Sequence, residues 1–189
     1  QAQRLAQRLG KRLRHVAEPF TQSLSEALRL PVANLGVQNA GLDVFLEDEA
    51  LLAFAAQAAI AVIQVTGAQN LSNRFYTVHP RRNDRFLRHS KMMEGAFRGA
   101  DFSDFVFTRH MLATLREVSE AGFASLVGEL QSAWVARMTK LAAKFRGKVV
   151  LLCIENTATR PLGSDPLFVT PDMIAEMAEV ADDVVHCNV

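Results

Sequence analysis

Short apolar runs alternate with segments of helical periodicity through most of the chain. The runs at 32–35, 60–66, 149–154 and 184–187 have the length of buried strands, and the run VVLLCI at 149–154 is the clearest. The unit 32–66 reads as strand, helix and strand with a short crossover, a connection typical of parallel strands. We therefore predict an α/β fold with a mostly parallel sheet whose strands are buried on both faces.

Between these runs, apolar residues recur at helical spacing. The predicted helices cover residues 19–29, 44–58, 82–98, 109–146 and 170–181. We expect the long region 109–146 to be broken near Gly122 and to carry an apolar stripe that includes Leu126, Leu130 and Trp134. The aromatic segment 100–108 is either a short strand or a packed loop.

The first residues of the chain combine a leucine stripe with basic charge. Leu5, Leu9 and Leu13 fall on one side of a predicted helix over about residues 1–16, with Arg and Lys elsewhere. The simpler interpretation is an amphipathic surface helix, and the alternative is a basic helix that touches a membrane or nucleic acid.

A chain of 189 residues fits one domain, 1–189.

Composition limits the classes of partner. The net charge of +1 excludes a polyanion binder that works through bulk electrostatics, so nucleic acid is not an expected partner. No apolar run approaches the roughly 20 residues of a membrane helix, so no membrane span is expected. The charge is uneven, however, because residues 74–91 hold six Arg or Lys and one acid, Asp84. Local potential therefore matters more than net charge.

The two cysteines, Cys153 and Cys187, both lie in apolar runs. We predict that both are buried, reduced and structural, as in a cytoplasmic protein. The sequence has no CxxC pair and no evident cluster of cysteine and histidine, so we expect neither a metal site nor a cofactor.

Polar residues follow the predicted strands, where open parallel sheets bind ligands. Asn39 comes after the first strand, Gln69 and Asn70 after the second, and Asn156 after the third, with Asn73 further along the second loop. Capping of local turns explains each asparagine taken singly. Several amides at one edge of a sheet instead predict a polar crevice for a small molecule.

Arginines give the segment 74–91 a second candidate role. On the predicted helix 82–98 and the residue before it, Arg81, Arg85 and Arg88 share one face. One interpretation is a solvated face or ion pairs with nearby acids. The other is a clamp for phosphate, sulfate or carboxylate, since guanidinium groups bind such oxygens in pairs. The clamp would use Arg74, Arg81, Arg82 and Arg85.

Two segments, PVANLGVQNAG and VIQVTGAQN, resemble blocks of the SGNH hydrolase superfamily, esterases and lipases with a flavodoxin-like, three-layer αβα fold. In that superfamily a glycine N–H and an asparagine side chain form the oxyanion hole, and the resemblance implies these roles for Gly36 and Asn70. The segments NLSNRFYTVHPRRNDRF, FTRHM and AWVARM resemble a family of uncharacterised bacterial proteins. The family resemblance covers about residues 17–189.

The chain departs from the hydrolase pattern at two places. No Gly-Asp-Ser-type turn precedes Val32, and because a missing central strand would leave unpaired edges, we expect that residues are absent near His15. The alternative is a different architecture. The Asp-x-x-His motif corresponds to Asp165-Pro-Leu-Phe168, which keeps the aspartate and replaces the histidine. Three histidines could stand in for it: His79, His89 and His110.

Three functions follow from these patterns. The first is an SGNH-like enzyme that acts on an ester or acyl group of a polar substrate such as a saccharide, with Gly36, Asn70 and Asp165 as candidate catalytic residues. The second is a transferase or binding protein for an anionic ligand such as a nucleotide. The third is a non-catalytic module that forms a homo-oligomer through the region 109–146 and Trp134.

Overall fold

The computed structural model describes residues 20–156 and 161–188. The chain divides into two compact units, residues 1–39 and residues 40–189, and each is described by itself. The predicted helix over 1–16 lies outside the described residues. The prediction of a single domain stays a prediction.

The first unit contains helix α1, Phe20–Leu28, which has no buried residue. Residues 32–35 form no strand, so both the strand predicted there and the strand–helix–strand unit are wrong. A strand needs a partner for its backbone groups. Here the backbone follows a local turn instead, in which Gly36 N donates to Asn34 Oδ1 at 3.0 Å.

The second unit is built on a three-stranded parallel sheet with the order β1–β4–β5. Its strands are β1 (Ile60–Gln64), β4 (Lys148–Glu155) and β5 (Asp183–Asn188). Strand β4 is central, and it pairs with β1 from Ile60↔Lys148 and with β5 from Val150↔Asp183. The prediction of an α/β fold with a parallel sheet is confirmed at this level.

A hairpin replaces the helix predicted over 82–98. Strands β2 (Tyr76–His79) and β3 (Arg82–His89) pair in antiparallel fashion. The helical prediction is therefore wrong for the first half of the segment. The aromatic and β-branched residues of β2 supply a ladder that favours an extended partner, and tertiary pairing of this kind overrides local propensity.

In the sequence, the helices of the second unit come before, between and after these strands. They are α2 (Leu42–Leu46), α3 (Glu49–Ala55), α4 (Lys91–Ala96), α5 (Thr108–Val118), α6 (Glu120–Ala142) and α7 (Pro171–Ala178). Side-chain oxygens of Asp48, Ser119 and Thr170 accept backbone N–H bonds at the starts of α3, α6 and α7. The predicted break in the long helical region falls at Ser119, three residues before Gly122.

Helix α6 forms the centre of the core. Its buried residues repeat at helical spacing, as predicted, and include Leu126, Leu130, Trp134 and Met138. Trp134 is completely buried, and its Nε1 donates to the backbone oxygen of Thr66 at 2.8 Å. This bond ties the core helix to the loop that follows β1.

Only one face of the parallel sheet is well buried. Val149, Leu151 and Cys153 point into the core from β4, whereas the opposite face leaves Ile60 47% and Val62 46% exposed. The prediction of strands buried on both faces is therefore wrong. Cys187 is also exposed and unpaired, so only Cys153 fits the predicted buried, reduced cysteine.

Gly147 gives a test of the packing at the start of β4. A Cβ there would lie 2.3 Å from Ala59 O and 2.4 Å from Ala58 O, so the backbone would have to shift. We expect Gly147→Ala to lower the free energy of unfolding by about 1–3 kcal/mol. Urea unfolding followed by circular dichroism measures it.

The matched control is Gly128→Ala, in the interior of α6, where a Cβ meets open space. We expect this change to raise the free energy of unfolding by about 0.5–1 kcal/mol, because glycine is a poor helix former. Equal effects of the two substitutions would contradict the close approach at Gly147.

Candidate functional site

The parallel register places the carboxyl ends of β1, β4 and β5 at one side of the sheet. We call this side the carboxyl edge, and it comprises residues 65–70, 153–156 and 186–188. Open parallel sheets bind ligands outside such an edge. Asn70 and Asn156 are both part of it.

Buried polar groups hold the loop 65–70 in place. Besides the bond from Trp134 to Thr66, Tyr76 Oη donates to Gln69 O at 2.6 Å, and Ala68 N donates to Leu167 O at 2.9 Å. Burial raises the pKa of Tyr76, so its phenol keeps the proton that it donates. The loop is therefore bonded to α6, to β2 and to the segment before α7.

Asn70 is oriented by a residue that the sequence patterns did not single out. Thr108 Oγ1 donates to Asn70 Oδ1 at 2.9 Å, and Thr108 is only 1% exposed. Because its oxygen accepts this bond, the amide nitrogen Nδ2 is the group of Asn70 that remains as a donor. Among the described residues, Nδ2 of Asn70 donates no hydrogen bond.

The backbone of Asn70 is held as well. A Cβ on Gly41 would lie 1.9 Å from Asn70 O, so only glycine allows this approach. Gly41 N in turn donates to Asn83 Oδ1 at 2.7 Å, and Asn83 is completely buried. The residue before α2 therefore packs closely against the main chain of Asn70 and is itself bonded to the hairpin.

The segment before α7 brings Asp165 to the same edge. Asn156 and Asp165 exchange two backbone hydrogen bonds of 3.1 and 3.2 Å. The Asp165 carboxylate forms an ion pair with Arg109 of α5. The structure thus brings together two predicted residues, and Arg109, which lies directly after Thr108, is a partner that the sequence patterns missed.

Gln69 and Asn73 have local packing roles. Gln69 is buried and its side chain lies over Gly67, where a Cβ would approach Oε1 to 2.2 Å. Asn73 Oδ1 accepts the backbone N–H groups of Phe75 and Tyr76 at 2.8 and 3.1 Å. Asn73 therefore caps a turn, which was the alternative interpretation of these asparagines.

The predicted arginine face is not formed. Arg82, Arg85 and Arg88 lie on strand β3, where a spacing of three residues places successive side chains on opposite faces and not on one face as in a helix. The Arg85 guanidinium lies 5.2 Å from the centre of the Phe107 ring. Arg81 and Arg82 are exposed at the hairpin turn.

Arg74 already has an anionic partner. It forms an ion pair with Glu129 of α6, and Arg74 Nε donates to Glu129 Oε2 at 2.7 Å. The hydrogen bond and the positive charge of Arg74 lower the pKa of Glu129. The pairing uses one of the four arginines of the predicted anion clamp.

Gly36 and Asn39 belong to the first unit, and Asn70 to the second. Within its unit, Gly36 N is engaged with Asn34 Oδ1. Asn39 has a positive φ of 58°, a conformation that asparagine tolerates better than most residues. The shared oxyanion hole of Gly36 and Asn70 stays a prediction.

A cluster of Cys153, Glu155 and His186 lies at the carboxyl edge. Their ligand atoms all lie within 4.8 Å of one another. Burial and the charge of Glu155 raise the pKa of Cys153. The sequence shows no cluster of cysteine and histidine, but the pairing of β4 with β5 brings Cys153 beside His186. The Cys-x-Glu alternation was visible in the sequence, but the pairing of the strands was not.

An open groove of about 690 Å³ lies away from this edge, between β3 and residues 99–105. His89 stacks on Phe102 with ring centres 4.5 Å apart and contacts Glu94 Oε1 at 2.8 Å. Arg88 and His89, one of the three histidines considered as a replacement base, line this groove, whereas no residue of the carboxyl edge does.

Comparison with known families gives one match. A family described as a domain of unknown function, DUF6473, matches residues 11–189. The chain belongs to this family. The prediction that the chain belongs to an uncharacterised family is confirmed. The description of the family states no activity. Searches of the curated proteins and of the solved structures each gave no match. Among the described helices, none has the length and apolar character needed to cross a membrane.

The ion pair of Arg74 and Glu129 predicts a pH-dependent contribution to stability. The folded-state pKa of Glu129 is below its ordinary value of 4.5, so the contribution is present above about pH 4.5 and is lost as the pH falls through the folded-state pKa. We expect Arg74→Gln to be less stable than the wild type at pH 7. The difference in the free energy of unfolding between this variant and the wild type should become smaller below pH 4.5.

Urea unfolding at pH 7, 5, 4 and 3 measures this difference. Arg81→Gln, at an exposed position in the hairpin turn, is the control and should show no narrowing. If the free energies of unfolding of Arg74→Gln and the wild type differ by the same amount at every pH, Glu129 is not the ion-pair partner of Arg74.

Proposed function

We propose that this protein is an enzyme of the SGNH hydrolase type that acts on an ester or acyl group of a polar substrate, such as a saccharide. Asn70 would donate a hydrogen bond from Nδ2 to the oxyanion that forms in the reaction. The bond from Thr108 Oγ1 to Asn70 Oδ1 carries the proposal, because it leaves the amide nitrogen as the donor at the carboxyl edge.

Oxyanion stabilisation depends on donors that are fixed before the charge develops. Asn70 meets this requirement through contacts with separate elements. Thr108 fixes its side chain from α5, and the close approach of Gly41 fixes its backbone from the start of α2. The preceding residue, Gln69, is bonded to Tyr76. An asparagine held in this way needs little reorganisation during a reaction.

Asp165 would act in positioning at the same edge. Its ion pair with Arg109 holds the carboxylate in place, and its backbone bonds to Asn156 place it beside the end of β4. We assign neither nucleophile nor base. Phe168 occupies the histidine position of the hydrolase pattern, and Thr108 is too deeply buried to attack a substrate.

The proposal includes a three-layer flavodoxin-like arrangement. The parallel order β1–β4–β5 supports it. So does the apolar character of the exposed sheet face, where Ile60, Val62 and Val185 would be covered by a further layer.

The alternative of an anionic ligand has weaker support. Arg74 is paired with Glu129, and the remaining arginines of the predicted clamp lie on a hairpin rather than on one helix face. The oligomeric module also loses its anchor, because Trp134 is completely buried within the second unit. Ester or acyl chemistry at the carboxyl edge is therefore the function that we favour.

The test is hydrolysis of p-nitrophenyl acetate and of an acetylated saccharide by the purified protein. We expect Asn70→Ala to lower kcat by about 10²- to 10³-fold, the loss typical of one oxyanion donor. KM should change less, since the bond is made mainly in the transition state.

Gln64→Ala is the matched control, because it removes an exposed amide from the end of the same strand. It should leave kcat within about twofold of the wild type, as expected for a surface change. Hydrolysis at equal rates by the wild type and Asn70→Ala, or its absence from the wild type, would contradict the proposal.

A further inference from the structure

We propose that Cys153, Glu155 and His186 form a binding site for a divalent transition metal ion, with Zn²⁺ as the preferred ion. The site lies where β4 and β5 end at the carboxyl edge. It is independent of the proposed ester chemistry, because it rests on different side chains and its test measures metal binding.

Strand geometry brings the three side chains together. Cys153 and Glu155 are two residues apart on β4, so they point to the same face of the sheet. His186 of β5 is the register partner of Cys153 and therefore shares that face. The neighbouring Cys187 pairs with Ile154 and points to the opposite face.

The distances fit one ion. Cys153 Sγ lies 3.8 Å from Glu155 Oε1, and His186 Nδ1 lies 3.0 Å from the same oxygen. Ligand atoms in tetrahedral zinc sites lie about 3.3–3.6 Å from one another, given the usual bond lengths of about 2.0–2.3 Å. The third separation, between Cys153 Sγ and His186 Nδ1, is no more than 4.8 Å. Shifts of about half an ångström in the first two separations and about one ångström in the third would give the bound geometry.

The chemistry of the ligands selects the class of metal. Thiolate and imidazole are typical zinc ligands, and a carboxylate completes many zinc sites. Mg²⁺ and Ca²⁺ prefer oxygen ligands and would not use Cys153. On binding, the Cys153 thiol loses its proton to water and its sulfur becomes the charged ligand.

Solvent access indicates an open coordination position. Cys153 is buried, but 41% of the Glu155 side chain and 53% of the His186 side chain are exposed. Three protein ligands at an exposed position leave a fourth place for water, as in catalytic rather than structural zinc sites. Asn156, which directly follows Glu155, places this ion beside the polar residues of the edge.

The test begins with the purified full chain, stripped with chelator and then incubated with ZnCl₂ and dialysed. We expect one equivalent of zinc per chain by elemental analysis. Titration with Co²⁺ should give a thiolate-to-cobalt charge-transfer band, which reports directly on sulfur ligation.

Each ligand is then replaced, as Cys153→Ser, Glu155→Gln and His186→Ala. Zinc affinity, measured by competition with a chromophoric chelator, should fall at least about 10- to 100-fold in each variant. Cys153→Ser should also lose the charge-transfer band. Glu155 and His186 are partly exposed, so their variants remain informative if the buried Cys153→Ser unfolds.

Cys187→Ser is the matched control, since it removes the other thiol from the opposite face of β5. It should bind zinc and cobalt as the wild type does. The proposal would be overturned by wild type that holds no zinc after dialysis, by Glu155→Gln and His186→Ala variants with unchanged affinity, or by loss of the cobalt band in Cys187→Ser alone.

Discussion

The parallel pairing of β4 on both of its edges is the constraint on which the candidate site depends. The register aligns the carboxyl ends of β1, β4 and β5, so residues far apart in sequence meet at one side of the sheet. Asn70, Asn156 and His186 reach this side from three different strands or the loops after them. If β4 were antiparallel to either neighbour, these residues would lie at opposite ends of the sheet.

Hydrogen bonds from the core extend this alignment into the loops. Trp134 packs in the centre of the second unit and donates to Thr66, while Tyr76 donates to Gln69. Both donors are buried, where an unsatisfied polar group costs about 1–3 kcal/mol. The loop after β1 is therefore held by the same packing that stabilises the core. A polar edge supported in this way is preorganised for binding or chemistry.

The sequence predicted the elements whose patterns are local. The strands β1, β4 and β5 and the buried stripe of α6 follow from periodicity. The predictions failed where long-range pairing decides the conformation. Residues 82–89 are a strand because β2 lies beside them, and residues 32–35 form no strand, since they have no strand partner among the described residues.

In the candidate site too, local features could be predicted from the sequence and long-range contacts could not. The position of Asn70 and Asn156 after strand ends was readable from the sequence, whereas the residues that contact them were not. Thr108 and Arg109 lie at the start of a helix with no sequence signal that relates them to Asn70 or Asp165. The cluster of Cys153 and His186 depends on the register of β4 against β5, which no spacing in one chain reveals.

Inter-strand NOEs in isotope-labelled protein test the parallel arrangement most directly. The register predicts backbone NOEs that connect Ala61 with Val149, Val150 with Asp183, and Ile154 with Cys187. NOEs between the start of β4 and the end of β5, or between β1 and β5 directly, would contradict the shared carboxyl edge and the site built on it.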